Sequence, residues 1–198
     1  MGSVREPIKK SSIEKKQRII KLGFELMCKE GYHNVNTVDI AKYADVSTGI
    51  IYQYFSDKRD IFIEGTKDYA QSILFPMIDV LNEKTLNSNL DEVISEVIDK
   101  FIENHTMEKD AHEELMAMTY LDKDVSDIFT KNELDLTKKI ADYLVKNGFD
   151  EENIEEKVHI IIGIVDNYCH EVVYHKHKTL DYGVMKKVII NTIKGLLS

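Results

Sequence analysis

Cysteine, proline and tryptophan are scarce or missing in this 198-residue chain, which has two Cys, two Pro and no Trp. Two thiols as far apart as Cys28 and Cys169 exclude a disulfide framework, and a reducing cytoplasm is the expected setting. Nine glycines and two prolines are too few breakers for a collagen-like, linker-dominated or many-turned β-sandwich chain, and they favour helices. No uninterrupted apolar run approaches the length of a membrane span, and the opening MGSVREPIKK lacks the apolar stretch of a secretory signal. Nor does the chain hold a Gly-rich phosphate loop, a nucleophile elbow or a paired-carboxylate constellation. No catalytic residue and no cofactor is therefore expected, and the chain is not expected to be an enzyme.

What is present is charge, unevenly distributed. The chain carries a net −9, yet residues 1–60 hold 11 Lys/Arg against 8 Asp/Glu, and residues 61–198 hold 15 against 27. A mildly basic head on a strongly acidic body is the asymmetry expected when only the head meets a polyanion.

The apolar positions recur at helical spacing. Ile13, Ile20, Phe24 and Met27 form a stripe over residues 12–29, with Ser11 and Glu14 as a capping box and Gly31 as the stop. Residues 37–44 read as a two-turn helix capped at Asn36 or Thr37, and Asp45-Val46 as a turn. Ser47 then caps a second short helix through Tyr54, and Asp57-Lys58 open a longer one that Pro76 should kink or end. After a polar connection at 84–89, helices are expected near 90–105, 109–121, 124–147, 153–177 and 181–197.

Two short helices joined by a tight turn and propped by a longer first helix have the layout of a helix-turn-helix. At 100° per residue, Ile51, Tyr54 and Phe55 share one arc of the second short helix. Gly49, Ile50, Tyr52 and Gln53 share the opposite arc, with Thr48 at the border, and that arc suits a groove. The glycine serves either close approach to phosphate or internal packing.

These residues resemble the amino-terminal domain of the tetracycline-repressor-like (TetR) family of regulators. The likeness covers roughly residues 12–62. It rests on Thr37, Val38, Ile40 and Ala41, then Ala44, Val46, Ser47, Gly49, Ile51, Tyr52, Tyr54, Phe55 and Lys58, flanked by Glu30-Gly31-Tyr32 and Asp60-Ile61-Phe62. The resemblance implies an all-α protein, with a three-helix DNA-binding head at 12–60 and a helical effector-binding and dimerisation domain at 61–198. It implies a homodimer that binds a palindromic operator in double-stranded DNA and a small effector that releases it. By position, Thr37, Tyr54 and Lys58 would touch phosphate. Ser47, Thr48 and Gly49 would approach backbone and base edges, and Ile50, Tyr52 and Gln53 would face the groove. Ile50 departs from the usual polar residue and could meet a thymine methyl. Thr48 stands where a basic residue is common, and Asp45 where glycine is frequent; aspartate tolerates left-handed backbone better than most residues.

The last two helices are apolar over most of their circumference, so they need cover on two sides. Val158, Ile161, Ile162, Val165, Tyr168, Cys169 and Val172 make one stripe, and Met185, Val188, Ile189, Thr192, Ile193 and Leu196 another. Fold analogy assigns a subunit interface to Val158, Ile161, Ile162, Val165, Cys169, Val172, Val188, Ile189, Ile193 and Leu196, with Gly163 permitting close approach. Phe101, His105, Met116, Tyr120, Phe129, Asn167 and His170 are candidates to line an effector pocket, offering apolar walls with a few polar groups.

Histidines near the end raise the question of a metal. Asp166/His170 and Glu171/His175 have i, i+4 spacing and Glu156/His159 has i, i+3. Residues 169, 170 and 175 nevertheless point in different directions around one helix, and a di-metal carboxylate centre needs a second Glu-x-x-His that the chain does not offer. No metal site is expected. Beside the repressor reading stands an alternative: a helical small-molecule or metal-binding bundle, enzymatic or not, whose head binds no DNA.

Overall fold

A computed structural model describes residues 7–83, 89–105 and 107–198, and among these it holds helices and no strand. The helices are α1 (Lys10–Glu30), α2 (Thr37–Tyr43), α3 (Thr48–Tyr54), α4 (Lys58–Glu83), α5 (Leu90–Asn104), α6 (Lys109–Leu121), α7 (Lys123–Lys146), α8 (Ile154–Val173) and α9 (Tyr182–Leu196). The polar connection expected at 84–89 lies almost wholly outside the described residues.

Three local expectations are corrected. Helix α1 starts at Lys10 with Lys9 as its N-cap and no side-chain capping bond, so Ser11 lies inside the helix and forms no capping box. The Lys10–Glu14 pair, one turn apart, supports this earlier start. Helix α4 runs through Pro76 to Glu83. A proline removes a single backbone donor, and burial of Ile73, Met77, Val80 and Leu81 holds the helix on both sides of it. Helix α8 ends at Val173, short of residue 177. Its last turn is closed by the Tyr174 amide on the His170 carbonyl, and the polar run 175–178 leaves the helix.

The chain divides into two compact units. One contains residues up to 70 together with 107–128, the other 71–106 and 129–198. Helix α6, which a linear division at 60/61 assigns to the second module, therefore packs on α1 within the first. The core of this first unit is Ile19, Phe24, Met27, Ile40, Ile51, Phe62, Leu115 and Val125. Phe24 and Phe62 pack with tilted rings, centroids 5.4 Å apart, and Tyr32 meets Phe62 edge-on at 5.1 Å. Gly65 lies directly beneath Phe24: a Cβ there would sit 2.4 Å from the Phe24 Cβ.

The second unit packs α5 against α8 and α9. Val93, Ile98, Phe101, Val158, Tyr168, Cys169 and Ile193 are buried in it. Polar ties fix the register. The Tyr168 hydroxyl donates to the Tyr182 carbonyl at 2.9 Å, and Lys186 and Lys194 of α9 pair with Asp99 and Asp91 of α5, each at 2.6 Å.

Candidate nucleic-acid interface

Helix α2 is started by a complete capping box. Asn36 Oδ1 accepts from the amides of Val38 and Asp39 at 2.8 and 3.1 Å, and Asp39 Oδ2 accepts from the Asn36 amide at 2.9 Å. This satisfies donors that a helix start otherwise leaves without partners. The turn to α3 depends on Asp45, whose φ of 51° puts it in the left-handed region, as its side-chain type allows. Arg18 of α1 donates to the Asp45 carbonyl at 3.2 Å and ties the turn to the supporting helix. Ser47 is the N-cap of α3 by backbone conformation, but its side chain makes no capping bond.

The two arcs of α3 separate as the 3.6-residue period requires. Ile51, Tyr54 and Phe55 are buried, whereas Gly49, Tyr52 and Gln53 are exposed, with Thr48 and Ile50 half-buried between them. A Cβ at Gly49 would meet only Ser47 Oγ at 3.9 Å, so an internal packing role for this glycine is removed. Tyr52, 55% exposed, is held by its hydroxyl, 2.9 Å from Thr37 Oγ1 at the start of α2. Ser47, Thr48, Gly49, Ile50, Tyr52 and Gln53 thus lie on or beside one outward surface, with Thr37 linked to it.

Two residues assigned to phosphate make packing or polar contacts inside the unit. Tyr54 is buried, its ring 6.5 Å from that of Phe55. The Lys58 ammonium turns inward and donates to the Tyr32 and Val35 carbonyls at 2.6 and 2.7 Å, above the Tyr32 ring at 4.4 Å. Desolvation lowers the Lys58 pKa, but the two carbonyls compensate the charge and clamp the loop between α1 and α2.

Neighbouring contacts in the same unit have no local sequence signal. Arg59 grips Asp122 with two bonds of 2.6 and 2.8 Å and reaches Asp124 at 2.5 Å. The guanidinium holds the Asp122 carboxyl below its ordinary pKa. Glu114 of α6 accepts from the Tyr32 amide at 2.7 Å. Partners 63 and 82 residues apart share no periodicity, so only the fold reveals them.

In the second unit the expected interface stripe, apart from Val188, is divided between buried and half-buried positions. Val158 and Cys169 are 0% exposed, and Val165 and Ile193 are also buried. Val158, Ile161, Ile162, Val165 and Ile193 instead line a cavity of about 80 Å³ together with residues of α5 such as Val93 and Ile98. Ile189, Val172 and Leu196 are half-buried, and of the ten residues only Val188 is open, at 58%. Another apolar face, which shares Val188 with that stripe, is left uncovered in the chain: Ile160, Val184 and Val188 are exposed, and a Cβ at Gly163 or Gly195 would meet nothing within 4 Å. The inner stripe is used within the chain because α5 covers it.

The effector candidates also divide. Phe101, His105 and His170 come together, with ring centroids 4.5 Å apart for the first two and 5.4 Å for the last two. Asn167 lies exposed on the uncovered side of α8, and Phe129 is half-buried. Met116 and Tyr120 belong to the other unit, where Tyr120 is 89% exposed. The cavity walls are aliphatic side chains that the sequence pattern marks only as core. Both thiols are buried, and desolvation pushes that of Cys28 up to about 12, so neither is poised for chemistry.

Residues 19–64 match the family described as bacterial regulatory proteins, tetR family. The chain is 46% identical over 64 residues to the HTH-type transcriptional regulator HbdR of Aromatoleum sp. (strain CIB), covering 30% of this chain and 28% of that protein. It is 33% identical over 94 residues to the fatty acid metabolism regulator protein of Bacillus subtilis (strain 168), covering 47% of this chain and 48% of that one. The chain thus spans less than half the length of these two curated relatives. The fold resembles that of the fatty acid degradation regulator FadR from Bacillus halodurans, with a TM-score of 0.64 at 20% identity over 95% of this chain and 96% of that one.

Proposed function

We propose that this chain is a regulator of the tetR family of bacterial regulatory proteins, acting as a cytoplasmic repressor released from a palindromic operator by a small effector. The observation that carries this reading is the division of α3 into a fully buried back and an exposed front of Gly49, Tyr52 and Gln53. Such a helix can enter a major groove without disturbing its own packing. Gln53 offers the bidentate geometry that reads adenine, and Tyr52, oriented by Thr37, lies beside it. Tyr54 and Lys58 act by holding α3 and the preceding loop in place, and Thr37, Ser47 and Thr48 supply backbone contacts.

Two copies would pair through Ile160, Gly163, Val184, Val188 and Gly195, the apolar face that the subunit leaves open. The effector would carry a hydrocarbon portion. The aliphatic cavity favours this, as does the likeness to a protein named as a fatty acid metabolism regulator. At about 80 Å³ the cavity is smaller than the ~150 Å³ that accepts a benzene ring, so a longer chain enters only if α5 or α9 yields. Such yielding couples occupancy to conformation.

The test is selection of bound fragments from random duplex DNA, followed by gel-shift titration at several salt concentrations. A palindromic consensus and an affinity falling steeply with salt support the reading. Absence of any selected sequence, with binding no tighter than to random duplex at low salt, overturns it.

A further inference from the structure

We infer that His105, Asp166 and His170 form a binding site for a divalent transition-metal ion of the zinc class. One ligating atom from each lies within 4.8 Å of the other two. Asp166 and His170 are one turn apart on α8, and His105 is the C-cap residue of α5, so two elements of the same unit converge on the point. Helical spacing along α8 could show only two of these three ligands.

The His105 ring is set as a ligand. Its Nδ1 lies 2.7 Å from the Phe101 carbonyl, which fixes Nδ1 as the donor and leaves the Nε2 lone pair for an ion. A backbone carbonyl orienting the far nitrogen is the usual second partner of a metal-bound imidazole. The ring is 7% exposed and rests edge-on against Phe101 and His170, so it has little freedom to turn away. His170 Nδ1 lies 3.6 Å from the Asp166 carboxylate. Donors around tetrahedral zinc, at about 2.0–2.1 Å from the ion, stand roughly 3.3 Å apart. The His170–Asp166 separation of 3.6 Å is already close to that spacing.

The electrostatics agree. Burial disfavours the charged form of all three groups, raising Asp166 to about 6 and lowering both histidines. The Glu133 carboxylate adds further negative potential at Asp166. A dication compensates the half-buried Asp166 carboxylate and needs the imidazoles neutral. Two nitrogens and one oxygen suit zinc, cobalt or nickel, and disfavour magnesium and calcium, which take oxygen. Three protein ligands leave a fourth position for water or for a donor atom of a bound molecule. An ion here would also join the end of α5 to α8.

The experiment uses the full chain stripped with chelator and titrated with Co²⁺, then with Zn²⁺ in competition. Expected are visible d–d bands that saturate at one equivalent per chain and vanish as zinc displaces cobalt, with a rise in the apo melting temperature. Asp166→Asn and His170→Gln, each checked for unchanged apo circular dichroism, should weaken zinc binding by roughly 100-fold or more. His175→Gln and His177→Gln should leave it unchanged. Equal binding by wild type, Asp166→Asn and His170→Gln, or no binding at millimolar zinc, overturns the site. No operator is involved, so the result is independent of the DNA-binding reading.

Discussion

The Tyr52 hydroxyl lies 2.9 Å from Thr37 Oγ1, joining the outward side of α3 to the start of α2. Tyr52→Phe removes this tie and leaves the ring. It should weaken operator binding severalfold while the unfolding free energy stays within about 0.5 kcal/mol of wild type. Gln53→Ala should instead relax base preference at one position in each half-site, by about 1–3 kcal/mol of discrimination. Fragment selection with each variant distinguishes a positional loss from a general one.

Lys58 tests whether an ammonium bound to two carbonyls acts on DNA or on the fold. Lys58→Ala should lower unfolding stability by about 1.5–3 kcal/mol, the range for a hydrogen bond to a charged group. Chemical denaturation without DNA reads this directly. A variant as stable as wild type that still loses operator affinity would return Lys58 to the phosphate backbone.

The Arg59–Asp122 pair sets a pH dependence for the first unit. Because the folded-state pKa of Asp122 is depressed, its contribution is present above the unfolded value near 4 and is lost as pH falls through the folded value. Asp122→Asn should therefore flatten the acid limb of a stability–pH curve. An unchanged limb would show that the pair contributes nothing in solution.

The two faces of α8 and α9 make opposite predictions. Val188→Asp on the open face should convert a dimer to a monomer in light scattering without loss of helix signal. Ile193→Ala on the inner face should destabilise each subunit by about 2–5 kcal/mol and leave the association state unchanged. The reverse pattern would restore the stripe expected from periodicity alone.

Gly65 reports on the seat of α4 against α1. Gly65→Ala places a methyl 2.4 Å from the Phe24 Cβ, and should destabilise by about 1–3 kcal/mol despite the better helix propensity of alanine. A melting curve suffices, and a gain in stability would mean that the helices can separate freely.

Legible in the sequence were the order of the helices though not all of their ends, the turn at Asp45, a cap at Asn36 or Thr37, and the sorting of α3 into inner and outer arcs. These depend on local spacing and on backbone preferences that act over a few residues. Tertiary structure alone decided which apolar stripe of α8 and α9 is covered within the chain, where the Lys58 ammonium goes, and that His105 joins Asp166 and His170. Periodicity states that a face is apolar but not what will cover it. A charge or an imidazole finds its partner only after distant segments have packed.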